Sequence, residues 1–156
     1  MGWARWMVAV WVVRAAAAAS GQPVAYSHKQ HVALGLQCVD CHISADTGES
    51  AKVPSVRQCM LCHAKLATAK PEIQKLAAYA AAKREVPWRR VYGFPRESMV
   101  KFKHAPHARA NIGCAVCHGD MTQDSTAEPQ VKHTMGTCLS CHRQNGATED
   151  CAACHY

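Results

Sequence analysis

Apolar positions form two continuous patterns along the chain. The first is an unbroken run, WMVAVWVV from Trp6 to Val13, set between Arg5 and Arg14 and followed by AAAAASG. A basic start, an apolar segment of this length and small residues before a boundary describe a secretory signal over residues 1–19. Cleavage near Ala19 satisfies an Ala-x-Ala rule with Ala17 and Ala19. A retained membrane anchor is the rival reading, but a spanning helix takes about 20 apolar residues and Arg14 interrupts this run. The second pattern is PEIQKLAAYAAAKRE, from Pro71 to Glu85, where Ile73, Leu76, Ala77 and Ala80 fall on one helical face. Pro71 suits the first turn, and the helix is expected to pack and to hold the regions on either side at a fixed separation. In the following VPWRRVYGFPRE, Pro87, Gly93 and Pro95 forbid a regular element. Elsewhere the chain predicts short helices and loops, with at most a small hairpin near Val24 to His31.

Composition changes this picture. The hydrophobic fraction is 49%, but much of it is Ala and Cys, with six Leu, three Ile and two Phe in 156 residues. Large aliphatic side chains supply most burial free energy, at about 25 cal/mol per Å². A self-sufficient protein core is therefore not expected, and cross-links or a bulky ligand must fill the interior. Ten cysteines and ten histidines are the candidates.

All ten cysteines fall into five Cys-x-x-Cys-His units: Cys38, Cys41 and His42; Cys59, Cys62 and His63; Cys114, Cys117 and His118; Cys138, Cys141 and His142; Cys151, Cys154 and His155. Cys-x-x-Cys-His is the attachment signature of c-type haem. Two thioethers hold one edge of the porphyrin, and the adjacent His then sits below the iron. A disulfide framework does not require a His after every second Cys. Zinc ribbons use tetrahedral sets without the repeated trailing His. Thioredoxin-like chemistry needs one Cys-x-x-Cys on an α/β scaffold. Covalent haem, five copies of it, is the reading that consumes every cysteine.

The five units leave His28, His31, His104, His107 and His133. Five irons with two imidazoles each take ten histidines, the number present. Four of the remaining five stand in a repeated phrase. HKQHVALGLQCVDCH (His28 to His42) and HAPHARANIGCAVCH (His104 to His118) share two histidines three apart, six residues, then the attachment unit. Tyr26 and Phe102 precede them at the same offset, so the chain resembles an internal duplication with a shift of 76 residues.

This phrase, followed by further attachment units, resembles the class III cytochromes, the tetrahaem cytochrome c3 and trihaem cytochrome c7. The stretch from Phe102 to His155 matches the trihaem form throughout. By that resemblance His104 pairs with His118, His107 with His142, and His133 with His155. Residues 26–63 depart from the pattern: there are two units, no third, and Pro54 stands where the counterpart of His133 would be. His28 then pairs with His42 and His31 with His63. The expected organisation is a dihaem module over 20–63, a helical connector over 64–98 and a cytochrome c7-like trihaem module over 99–156. The expected fold class is mainly α and irregular, with short helices and loops around haems and little strand.

In the connector, Trp88, Tyr92 and Phe94 are expected to cover haem edges, and Arg89 and Arg90 to pair with propionates or a partner. The formal charge of +7 falls to +5 without Arg5 and Arg14, and five haems bring it to about 0 oxidised and about −5 reduced. The basic residues offset propionates, and a nucleic-acid role gains nothing from them. Two imidazoles leave an iron no vacant position for substrate, which suits electron transfer rather than catalysis. Catalytic multihaem enzymes such as pentahaem nitrite reductase carry a CxxCK-type haem and far more polypeptide, and this sequence has neither. About 135 residues after the signal, roughly 27 per haem, force close cofactors. The expected function is a periplasmic electron relay between dehydrogenase and reductase partners. The alternative is a fixed subunit of a membrane quinone-oxidising complex, resembling the pentahaem subunit of alternative complex III, whose assemblies have similar connectors. A third reading is a haem reductase in which one ligand such as His133 is labile.

Overall fold

The computed structural model describes residues 21–156. The expected signal segment, residues 1–19, lies outside the described residues. Eight short helices follow one another: α1 (His28–Val32), α2 (Cys38–Cys41), α3 (Val56–His63), α4 (Pro71–Ala81), α5 (His104–Arg109), α6 (Cys114–His118), α7 (Met135–Gln144) and α8 (Cys151–Cys154). Single 3-10 turns cover Arg96–Ser98 and Met121–Gln123. The fold is thus helical and irregular, and among the described residues an isolated bridge between Val100 and His155 is the strand-like pairing. No helix among the described residues is long and apolar enough to cross a membrane.

The hairpin expected near Val24 to His31 is not formed. Ser27 is extended, its hydroxyl accepts from Gln30 N, and the chain turns at once into α1. A hydroxyl that satisfies a free N–H of the first turn starts a helix at this point, and no partner strand competes. The connector helix begins at Pro71 as expected but stops at Ala81. Lys83 takes φ +52° and Arg84 N donates back to Tyr79 O at 3.0 Å, a left-handed helix stop. Glu85, freed from the helix, accepts from Val56 N at 2.7 Å.

Five described residues are buried: Val24, Val56, Leu76, Val86 and Ala105. The first four form one cluster, with Cys59, Met60, Ile73, Tyr79, Ala80 and Trp88 packed on it. Helices α3 and α4 meet there, so the connector helix is part of the packing around the second attachment unit. Ile73, Leu76 and Ala80 occupy the inner face as the pattern requires; Ala77 is exposed and Tyr79 takes its place. Trp88 packs on this cluster, beside the second attachment unit.

Polar latches close the same region. The Glu72 carboxylate accepts from Ala25 N at 2.6 Å and from Lys75 Nζ at 2.7 Å. The lysine, then the backbone N–H, hold its carboxyl below the usual carboxylate range. The Gln22 amide pairs with the Arg89 backbone in both directions, each bond 2.9 Å. Between the halves, Lys29 N donates to Asp124 O at 2.9 Å, and His104 N and Ala105 N donate to Glu49 O and Gly48 O, both at 3.0 Å.

With so small a core, each member matters. Leu76→Ala is expected to destabilise the haem-loaded protein by about 2–5 kcal/mol in urea unfolding. Leu34→Ala, at a side chain 81% exposed, is expected to change stability by less than about 0.5 kcal/mol.

Candidate functional site

Each attachment unit lies on or at the end of a short helix: on α3, α6 and α7, and on α2 and α8 with His42 and His155 at the C-cap. Cysteines three apart on a helix share one face. No disulfide joins any of the ten cysteines, and each is exposed or half-exposed. Burial pushes the Cys41, Cys59 and Cys117 thiols up, so in the unattached chain they are neutral. Among the described residues no three His, Cys, Asp or Glu side chains converge on a point that would hold a bare metal ion.

The histidines show a common geometry instead. Nδ1–H donates to a backbone carbonyl in seven of them: His31 to Ser27 (2.8 Å), His42 to Lys52 (2.6 Å), His63 to Leu66 (3.1 Å), His104 to Glu49 (3.0 Å), His107 to Lys103 (2.8 Å), His155 to Ser98 (2.9 Å), and His142 to Thr148. A carbonyl can only accept, so the proton is on Nδ1 and the Nε2 lone pair is left for a metal. A metal-bound imidazole nitrogen is about 2 Å from its metal and about 1.2 Å from its ring centre, so two imidazoles across one iron have centres up to about 6.4 Å apart. The structure sets His31 and His63 6.0 Å apart, His104 and His118 6.3 Å apart with planes 5° from parallel, and His107 and His142 6.0 Å apart. These are three of the pairs that the sequence led one to expect. Imidazole pairs at that separation, without further protein ligands, suit an iron whose equatorial positions a porphyrin supplies.

Three histidines lack a carbonyl partner at Nδ1. His28 Nδ1 is buried without a hydrogen-bond partner. Burial, then the neighbouring His42, lowers the His28 pKa and favours the neutral imidazole a metal needs. His118 is lowered in the same way by burial, then by His104. His133 is placed differently from the rest: its Nε2 donates to Cys117 O at 2.6 Å, and its ring lies 6.2 Å from His118. Among the described residues no ring contact joins it to His155.

Aromatic rings orient these imidazoles. Tyr26 stands edge-on to His28 at 4.8 Å and stacks on His31 at 4.5 Å; Phe102 repeats this with His104 at 4.9 Å and His107 at 4.7 Å. Burial pushes the Tyr26 phenol up to about 12. Tyr92 makes a third copy that sequence reading did not foresee, edge-on to His118 at 4.7 Å and stacked on His133 at 4.9 Å. Its hydroxyl accepts from Gln130 N at 2.8 Å and Val131 N at 3.2 Å, which fixes the segment leading to His133. Phe94 lies 6.3 Å from His133, while Arg89 and Arg90 are exposed.

The carbonyls were not legible either, because any residue has one. Their mark is conformational: Lys52 (φ +56°), Ala67 (φ +56°) and Met99 (φ +49°) are left-handed at, or just after, the carbonyls that hold His42, His63 and His155. Such conformations cost about 1–2 kcal/mol per non-glycine residue and recur at functional sites. Gly119, directly after His118 at φ +74°, is required by space as well, since a Cβ there would lie 2.0 Å from Gln130 Oε1.

Helical attachment units, paired cysteines and imidazoles set about 6 Å apart together define a small multihaem c-type cytochrome. The sequence profile of the class III cytochrome c family matches residues 8–87, just over half of the 156 residues, and the chain belongs to that family. It is similar to the "Menaquinone reductase, multiheme cytochrome c subunit" of Nitratidesulfovibrio vulgaris, 36% identical over 99 residues, which is 62% of this chain and 45% of that protein. The chain therefore spans less than half the length of this relative. The profile falls on the first two attachment units and the connector helix, whereas the likeness seen in the sequence is fullest from Phe102 onward. The family carries covalently bound haem c, and the residues described fit that group.

The left-handed residues give a check on the local geometry. Ala67→Gly is expected to be neutral or to stabilise by up to about 1 kcal/mol, because it relieves a left-handed Cβ. Ala78→Gly, on the exposed face of α4, is expected to cost about 1 kcal/mol in the same urea titration.

Proposed function

We propose that the chain carries five haem c groups on its ten cysteines, each iron held between two histidines, and relays electrons between redox partners on the periplasmic side of the membrane. The observation that carries this reading is the set of three imidazole pairs with ring centres 6.0–6.3 Å apart, most of them with Nδ1 tied to a backbone carbonyl. The ligand pairs are His28 with His42, His31 with His63, His104 with His118, His107 with His142, and His133 with His155. The last follows from family order and requires His133 to release the Cys117 carbonyl. Residues 20–63 form the dihaem module, 64–98 the connector and 99–156 the trihaem module. The chain's own residues present Nε2, orient it through the carbonyl anchors and aromatic rings, and leave no axial position for a substrate. That arrangement changes little on reduction and favours electron transfer over catalysis.

Haem counting and spectroscopy test the ligand set together. Mass and iron analysis of the holoprotein are expected to give five covalent haems, and the oxidised EPR spectrum five low-spin irons and no high-spin signal. A stoichiometric high-spin signal would expose an open iron and move the reading to reductase chemistry. His107→Ala is expected to convert one of the five irons to high spin without loss of attached haem.

For the partner, the relative's name supports a menaquinone-reactive assembly, in which this chain would be the electron-transferring subunit, fixed at the membrane that holds the quinone. A freely diffusing periplasmic carrier is the second reading. In membrane fractionation from the native host, the chain is expected to stay with the membranes through a high-salt wash and to co-purify in detergent with quinol-dependent reduction of its haems. Recovery in the soluble periplasmic fraction would favour the diffusing carrier.

A further inference from the structure

One loop carries two of the carbonyl anchors, and they serve different halves of the chain. Lys52 O accepts from His42 Nδ1 at 2.6 Å, within the first half. Glu49 O, three residues earlier, accepts from His104 Nδ1 at 3.0 Å, in the second half. The same oxygen takes the His104 backbone N–H at 3.0 Å, so its two lone pairs fix both the ring and the start of α5. Gly48 O takes the next N–H, from Ala105, at 3.0 Å, and Lys103 Nζ meets the Glu49 carboxylate at 3.1 Å.

Contacts inside the loop make it a single piece. Gly48 N donates to Ser44 O at 2.8 Å, Lys52 N to Ser50 Oγ at 3.3 Å, and Lys52 is left-handed at φ +56°. A Cβ at Gly48 would lie 3.1 Å from Ser44 O, so a larger residue there displaces the turn. The loops at Leu66 and Thr148, by contrast, hold one histidine each. A shift of 76 residues turns Gly48, Glu49 and Lys52 into Asp124, Ser125 and Glu128. There Asp124 O takes Lys29 N at 2.9 Å, but His28 Nδ1 has no partner. The link through Nδ1 therefore runs one way, from a first-half loop to a second-half histidine.

We propose that residues 48–52 are a shared positioning loop for two irons, the one that His42 serves and the one that His104 serves. A single displacement of the loop then changes ligand geometry and potential at both. The proposal rests on the haem-loading reading above. A hydrogen bond from Nδ1–H raises the basicity of Nε2 and fixes the ring plane, and hydrogen bonding to the ligand is one of the levers on a haem potential. His104 and His118 have planes 5° from parallel, an angle that the doubly bonded Glu49 O is placed to hold. Glu49 and Lys52 act on the histidines through their carbonyls, so the shape of the loop sets the effect.

Redox titration followed by EPR tests this on the full holoprotein, with haem counted per attachment unit by peptide mass first. Gly48→Ala displaces the turn that leads to Glu49, and Lys52→Gly frees the left-handed residue that carries the other anchor. Each variant is expected to shift the same two of the five low-spin ferric signals, together with their two potentials. His104→Met exchanges an imidazole for a thioether, which raises the potential of its own iron, and is expected to remove one signal of that pair first. Ala67→Gly, beside the anchor of His63, is expected to shift one signal outside the pair. Any other pattern overturns the proposal while leaving five-haem loading intact: separate single shifts mean independent anchors, and five shifts mean general loosening. If Gly48→Ala does not load haem, Lys52→Gly decides, and a single shifted signal, or none, overturns. A haem missing at the unit of Cys38 or of Cys114 sinks both readings. One missing elsewhere sinks the five-haem reading alone, and the paired shift still decides the loop.

Discussion

A histidine offers Nε2 to a metal only when its proton resides on Nδ1, and a proton held there away from water needs an acceptor. In this chain the acceptor is almost always a backbone carbonyl, from Ser27, Glu49, Lys52, Leu66, Ser98, Lys103 or Thr148. Much of the irregular backbone exists to bring those carbonyls into place. Left-handed Lys52, Ala67 and Met99 sit at or beside three of them, and the loop at Gly48 and Glu49 crosses to the other half to serve His104. Raising ligand basicity and fixing ring orientation are the known effects of such outer contacts. Here they also organise the fold.

The small core is the other side of this constraint. Val24, Val56, Leu76 and Val86 form one cluster, and it supports the α3–α4 pair alone. Elsewhere, single polar contacts and aromatic–imidazole stacks hold the chain, as in the Tyr26, Phe102 and Tyr92 clusters. Apolar side chains beside the attachment units, including Val39, Leu61 and Val116, remain exposed in the polypeptide itself. Covering such surface is work for a bulky apolar group, in keeping with the haem c of this family.

Duplication explains the regularity and its exceptions. Ring geometry around α1 and α5 agrees to within a few tenths of an ångström. Yet His104 gives its Nδ1 proton to Glu49 while His28 Nδ1 has no partner, and Gly119 follows His118 where Ile43 follows His42. The third unit and its histidine occur in the second half only. The connector supplies that half with Tyr92, a ring in the role that Tyr26 and Phe102 play for their own histidines.

Covalent chemistry was legible in the sequence because Cys-x-x-Cys-His encodes it locally: two thiols on one helical face with an imidazole next to them do not depend on distant chain. The amphipathic stripe likewise specified α4, since Ile73, Leu76 and Ala80 recur at the helical period. What lay beyond the sequence was everything that depends on a carbonyl or on two distant segments meeting. The end of α4 at Ala81, the helix in place of a hairpin at His28, the turning of His133 toward Cys117 and Tyr92, and the exchange between Lys29 and Asp124 all belong to this class. Every residue carries the same backbone acceptor, so its position in space, which decides where a histidine points, is set by tertiary structure alone.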